Sequence, residues 1–199
     1  MADQDWVATF PQSDQIPFGG PGTALSTATT ATISPMPTGE AADFNKSISG
    51  AEWRVGKLIE VTARGFITTT GTSTTATFLL ATNVGNTGTT YIPLATTAGF
   101  ATGTGALAGL QWEMWGTIRC TAIATSGNTV ATQGTMKIAT TLTPTMATAS
   151  GLVIGMPNAS GETAAAINTM RTQGIALRAT LAGANATIQC TQWILKTLN

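Results

Sequence analysis

The chain of 199 residues is long enough for one domain with an appendage, and Thr (41), Ala (31) and Gly (22) dominate its composition. Charged residues make up only 9%, with nine bases balancing nine acids, against roughly 25% in an average globular protein. The sequence has no His and only two Cys, which excludes Ser-His-Asp and Cys-His catalysis, His-ligated metals and a four-thiolate zinc site.

The first 48 residues predict an extended N-terminal arm. Residues 1–45 hold five acids, no base and five of the eight prolines, whereas residues 46–199 hold four acids and nine bases. The arm has neither a helical nor a strand period, yet it carries large apolar residues that a solvated tail would not need. A disordered tail is the alternative. We expect an arm that becomes ordered on a partner surface, with Trp6, Phe10 and Phe18 as its anchors.

Residues 49–199 predict an all-β body. Apolar and polar residues alternate over residues 57–70, which places Ile59, Val61 and Ile67 on one face of a strand. The other strands are predicted over residues 75–82, 91–94, 110–125, 129–140, 174–181 and 186–198.

The connections between these strands give the fold class. We expect residues 110–125 and 129–140 to form one hairpin, and the last two strands to form a closing hairpin. Between them, a linking stretch follows Pro144, and residues 162–172 predict one or two helical turns. Seven or eight strands without strand–helix alternation predict a β-sandwich or barrel, and long connections favour a jelly roll.

Few side chains are candidates for chemistry. Cys120 and Cys190 lie in similar pentapeptides and could bond if their strands were neighbours, but we favour buried, reduced core residues. Glu60 and Glu113 are the one carboxylate pair that strands could bring together, and each has an Arg on its own strand face, so we expect cross-strand ion pairs. We therefore predict no catalytic residue, no metal and no cofactor.

The tryptophans and the charge pattern bear on partners. Trp112 and Trp115 fall on opposite faces of one predicted strand, so at most one is core, and we expect Trp115 in a subunit interface. Nine bases spread without runs predict no nucleic-acid partner. No apolar run approaches the roughly 18 residues of a membrane span, and the N-terminus lacks a secretory signal. We expect synthesis in a cytoplasm.

Residues 56–65 (GKLIEVTARG) and 188–199 (IQCTQWILKTLN), together with the Thr/Ala/Gly-rich composition, resemble virion proteins of tailed bacteriophages. The resemblance implies a jelly roll of the tumour-necrosis-factor-like kind, usually trimeric, displayed on a capsid or tail. We therefore expect a non-enzymatic head decoration, head-fibre or minor capsid protein of the virion, a homotrimer whose arm binds the major capsid protein or another virion protein. The alternative is a receptor-binding or tail-fibre module that recognises a host surface glycan or protein.

Overall fold

The computed structural model describes residues 22–34, 47–84, 91–139, 151–157 and 162–198, which form a β-sandwich. The strands within these ranges are β1 (Thr30–Thr32), β2 (Ser47–Ile48), β3 (Leu58–Thr69), β4 (Thr75–Val84), β5 (Ile92–Thr96), β6 (Phe100–Ala101), β7 (Leu110–Cys120), β8 (Val130–Ile138), β9 (Leu152–Met156), β10 (Thr163–Ala165), β11 (Gln173–Leu181) and β12 (Ala186–Leu198). A single 3-10 turn, Gly50–Glu52, precedes β3, and the described ranges contain no α-helix. The predicted all-β sandwich is confirmed.

Each of the two sheets has six strands, and every pairing is antiparallel. The first sheet has the order β1-β11-β4-β5, with β2 also paired to β11 and β6 to β4. The second has the order β10-β8-β7-β3-β12, with β9 also paired to β8.

The chain passes from one sheet to the other at β2–β3, β3–β4, β6–β7, β10–β11 and β11–β12. As a result, strands that are neighbours in a sheet come from distant parts of the sequence: β4 lies beside β11, and β3 beside β12. Repeated crossings of this kind join the two antiparallel sheets into one β-sandwich.

The hydrophobic core lies between the sheets and follows from the alternation in the long strands. In β3 the inward residues Ile59 and Val61 are completely buried, and the intervening side chains face away from the core. Phe78 of the first sheet packs on Trp112 of the second, with ring centroids 5.0 Å apart and planes at 56°. This tilted aromatic contact joins the two sheets across the core.

Part of the predicted arm is built into the sandwich. Residues 22–34 bring β1 onto β11, and Leu25 forms a β-bridge with Ile188 of β12. Leu25 and Ile33 are both buried in the same cluster as the core of the body. The Ser34 hydroxyl accepts a hydrogen bond from the Leu177 amide at 3.2 Å. The predicted boundary at residue 48 therefore divides residues that share one core.

The prediction of a closing hairpin is wrong. β11 belongs to the first sheet and β12 to the second, so residues 182–185 link the sheets instead of turning within one. The link bonds to both: Ala182 N donates to the Thr75 carbonyl, and Asn185 O accepts from the Thr70 amide. A Gly- and Asn-containing connection suits a hairpin turn and a corner between sheets equally well.

The region after Pro144 also differs from expectation. β9 occupies part of the predicted linking stretch and pairs with β8. The predicted helical turns at residues 162–172 are wrong, because this segment forms the short strand β10 followed by a turn. Its polar backbone groups form hydrogen bonds with side chains and with the backbone of other segments, and not with one another in a helical pattern. The Thr129 hydroxyl, for example, bonds both the amide and the carbonyl of Ile167.

Candidate interaction surface

The candidate surface is the side of the second sheet that faces away from the core, called the outer face below. Every second residue of the long strands points there because side chains alternate along a strand. Its main members are Glu60, Thr62, Arg64, Phe66, Gln111, Glu113, Trp115, Arg119, Thr135, Lys137, Val153, Gln192, Ile194 and Lys196.

Trp115 lies near the middle of the outer face and is 46% exposed. Its register partners are Thr62 on β3 and Thr135 on β8, whose short side chains leave much of the indole uncovered. The indole Nε1 donates a hydrogen bond to Glu60 Oε1 at 2.9 Å. That bond holds the ring in place while its apolar surface stays in contact with solvent, which is an arrangement typical of interface tryptophans.

Two more large apolar residues are exposed on the same face. Phe66 on β3 is 39% exposed, and Val153 on β9 is 61% exposed. The alternation in residues 57–67 places Phe66 on the polar side of β3. Its exposure could therefore be predicted from the sequence, although Phe66 was not among the predicted interface residues. Val153 was missed because β9 was predicted as a linking stretch.

Ion pairs flank these apolar residues. Arg64 donates from Nε and Nη2 to Glu113 Oε1, at 2.9 and 2.7 Å, which confirms a cross-strand ion pair between β3 and β7. Arg119 forms an ion pair with Glu162, from the segment before β10. The hydrogen bond between these two groups lowers the pKa of Glu162 and raises that of Arg119.

The charges of the outer face nearly balance. Three carboxylates face four cations, and opposite signs alternate along and across the strands: the acids are Glu60, Glu113 and Glu162, and the bases Arg64, Arg119, Lys137 and Lys196. A second copy of such a face would meet complementary charges and little net repulsion.

A β-bulge interrupts one edge of the face. Cys190 pairs with Gly65 and Gln192 with Arg64, so Thr191 is an extra residue on β12. Gly65 is required here, because a Cβ at this position would lie 1.9 Å from the Gln189 carbonyl oxygen and 2.6 Å from a ring carbon of Trp112.

The cysteines do not form a disulfide with each other. Cys190 pairs with Gly65 opposite Trp112, and Cys120 lies eight residues further along β7, roughly 26 Å away at strand spacing. Both thiols are buried and donate to the carbonyl two residues on, Ala122 O at 3.5 Å and Gln192 O at 3.1 Å. Burial raises the pKa of the Cys120 thiol, which disfavours the reactive thiolate.

The two carboxylates of Glu60 and Glu113 are not brought together. Glu60 lies opposite Thr117 and Glu113 opposite Arg64, four residue pairs apart, or about 13 Å along the strands. A glycosidase pair needs carboxyl groups about 5–9.5 Å apart. Here Glu60 accepts from Trp115 and Glu113 from Arg64 instead.

Of the four predicted interface residues, the structure places Trp115 on the outer face, while Trp6, Phe10 and Phe18 lie outside the described residues. Among the described residues, no group of three or more His, Cys, Asp or Glu side chains is placed to hold a metal ion. None of the helical structure described is long and apolar enough to span a membrane.

Comparisons with protein-family models, with curated proteins and with solved structures found no match to this chain. What the outer face binds is therefore inferred from its own residues.

Proposed function

We propose that this protein is a non-enzymatic structural protein of a tailed-bacteriophage virion, which assembles as a homotrimer through the part of its outer face around Trp115 and decorates the capsid. The resemblance of residues 56–65 and 188–199 to tailed-phage virion proteins supports the virion role. The single observation that carries the self-association is the exposed Trp115 on a face of nearly balanced charge. The N-terminal arm attaches the assembly to the major capsid protein or another virion protein.

The physical chemistry of the outer face supports association with copies of itself. Removing apolar area from water contributes about 25 cal/mol per Å², and exposed tryptophans are common among the residues that dominate interface energies. The register partners of Trp115, Thr62 and Thr135, carry no charge, and the nearby Glu60 carboxylate already accepts a hydrogen bond from the indole. A non-enzymatic role fits the carboxylates Glu60 and Glu113, which are engaged by neighbouring side chains and lie too far apart to act on one bond.

Light scattering on the full chain tests the self-association. Wild type is expected at the mass of a trimer, and Trp115→Ala is expected to weaken association at least tenfold, because truncation removes the central apolar contact. Met170→Ala is the matched control, since Met170 is exposed but lies off the outer face. Circular dichroism checks that each variant is folded. A monomeric wild type at micromolar concentration, or equal association of wild type and Trp115→Ala, would contradict the proposal.

Electron microscopy of purified particles tests the virion role. Antibody-labelled protein is expected at regular positions on the capsid surface. Particles that lack the protein altogether would overturn the virion role, and label confined to the tail tip would favour the receptor-binding alternative.

A further inference from the structure

A cavity of about 530 Å³ opens at one end of the outer face, next to the bulge in β12. Its volume falls within the range of roughly 300–1,000 Å³ that is usual for small-molecule sites. Its wall side chains include Arg64, Phe66, Gln111, Glu113, Lys137 and Gln192. Its β7 walls, Gln111 and Glu113, lie four and two residues before Trp115, or about 13 and 7 Å along the strand.

The polar groups of the cavity are suited to hydroxyl groups. The amide side chains of Gln111 and Gln192 have no hydrogen-bond partner among the residues that the structure describes. Each amide presents two N–H donors and an acceptor oxygen. Arg64 uses only Oε1 of Glu113, so Oε2 keeps its acceptor capacity. Neighbouring amide and carboxylate groups of this kind can bind adjacent hydroxyls of a sugar ring, which both donate and accept.

An apolar element and a net charge complete the site. Phe66 exposes its ring at the cavity wall, and the negative face of an aromatic ring attracts the C–H bonds of a pyranose. Glu113 is already neutralised by Arg64, whereas Lys137 has no ion-pair partner among the described residues. The walls therefore carry one uncompensated positive charge.

We propose that this cavity binds a sugar residue that carries a carboxylate group, a uronic or sialic acid, with its ring against Phe66 and its carboxylate near Lys137. One uncompensated ammonium matches a group of one negative charge better than a phosphate, which carries about −1.5 to −2. The cavity and the interface proposed around Trp115 occupy different parts of the outer face, because the walls extend from Glu113 towards Gln111 and do not include Trp115.

NMR titration of the full-length protein tests this inference. Methyl glucuronide and the methyl glycoside of N-acetylneuraminic acid are the acidic probes, and methyl glucoside and acetate are the controls. At least one acidic glycoside is expected to give saturable shifts at Phe66, Gln111 and Gln192, with affinity at least fivefold higher than methyl glucoside. The acidic glycoside that binds more tightly shows whether the site prefers a uronic acid or a sialic acid.

Variants separate the two elements of recognition. Lys137→Gln is expected to remove the preference for the acidic sugar, while Phe66→Ala weakens binding of acidic and neutral sugars alike. Lys196→Gln is the matched control, because Lys196 lies on the same face opposite Glu60, away from the cavity. Trp115→Ala is expected to reduce self-association and keep the sugar affinity, which distinguishes a failure of this site from a failure of the assembly proposal.

Three outcomes would overturn the sugar site. These are the absence of saturable shifts with both acidic glycosides, an affinity for methyl glucoside equal to that for the tighter-binding acidic glycoside, and acetate shifts at Phe66 as large as those of the glycosides. The last would indicate a general anion site.

Discussion

The outer surfaces of the two sheets differ in what their side chains do. On the first sheet, Thr30 and Thr180 hydrogen-bond to each other at 2.7 Å, and the Arg178 guanidinium lies 4.2 Å from the centroid of the Tyr91 ring. On the second sheet, Trp115, Phe66 and Val153 remain exposed.

Similar low-charge, Thr-rich strands therefore serve two purposes in this protein. The outer residues of the first sheet are engaged with one another, so they should contribute to stability. Those of the second sheet keep apolar surface in water, so they should contribute to binding. The predictions below test this division.

The largest effect on stability is expected from removing residues 1–34, whose described part, residues 22–34, adds β1 to the first sheet. The deletion removes β1 together with the buried side chains of Leu25 and Ile33. Truncating a buried aliphatic side chain costs about 2–5 kcal/mol, so the free energy of unfolding should fall by more than about 4 kcal/mol. Urea denaturation measures it.

Deletion of residues 1–21 is the matched control, since it keeps every described contact of this segment. It should retain wild-type stability and lose attachment to particles, because Trp6, Phe10 and Phe18 are gone. Equal denaturation midpoints for the two deletions would show that residues 22–34 contribute nothing to the core. Normal attachment without residues 1–21 would show that the predicted anchors are dispensable.

A smaller loss of stability is expected from replacing an arginine on either outer surface, and the loss should differ between the two surfaces. Arg178→Ala is expected to cost about 1–2 kcal/mol, because it removes the stacking on Tyr91 and the packing of the aliphatic stem. Arg64→Ala is expected to cost about 0.5 kcal/mol, since its ion pair with Glu113 is largely solvent-exposed. Thermal unfolding of the two variants compares them directly. A larger loss for Arg64→Ala would reverse the division between the sheets.

The smallest effect concerns the pH dependence of stability at the edge of the outer face. Arg119 lowers the pKa of Glu162 in the folded protein. The stabilisation is therefore present above the ordinary pKa of a glutamate and is lost as the pH falls through the folded-state pKa. At neutral pH, wild type should be slightly more stable than Glu162→Gln. This difference in stability should disappear in acid and become smaller in high salt. A difference in stability that is unchanged at low pH would show that Glu162 stabilises the fold by packing and not through its charge.

Much of the fold could be predicted because buried and exposed residues alternate along β3 and most of β7. The pattern in residues 57–67 fixed which side of β3 is buried, and the pattern in β7 placed Trp112 inside and Trp115 outside. Alternation has a local cause, the geometry of one strand, so a single sequence displays it. It correctly placed Trp115 on the exposed side of β7.

The bulge in β12 also left a trace in the sequence. The buried residues Ile188 and Cys190 are two apart, but the next buried residue is Trp193, three positions after Cys190. In a regular strand, a residue three positions after a buried one would face outward. The burial of Trp193 therefore indicates one inserted residue between it and Cys190. The cavity beside the bulge could not be predicted, because its walls come from β3, β7, β8 and β12.

The crossing between β11 and β12 could not be predicted for a related reason. A four-residue connection can turn back within one sheet or cross to the other sheet. The outcome depends on which strands in each sheet are available to pair with the strand that follows. Here the partners are β4 and β3, about 90 and 120 positions earlier in the chain. No local pattern carries that information.

The pairing of the last strands with early ones sets the timing of folding. Thr30 and Thr180 are 150 positions apart, which a ribosome at about 5–20 residues per second needs roughly 10–30 s to synthesise. Until β11 and β12 emerge, β3 and β4 each keep a long edge without its partner, and such edges pair readily with other nascent chains. Non-local pairing also makes folding itself slow. A chain interrupted before residue 173 would expose both edges permanently, because β11 and β12 are the strands that cover them.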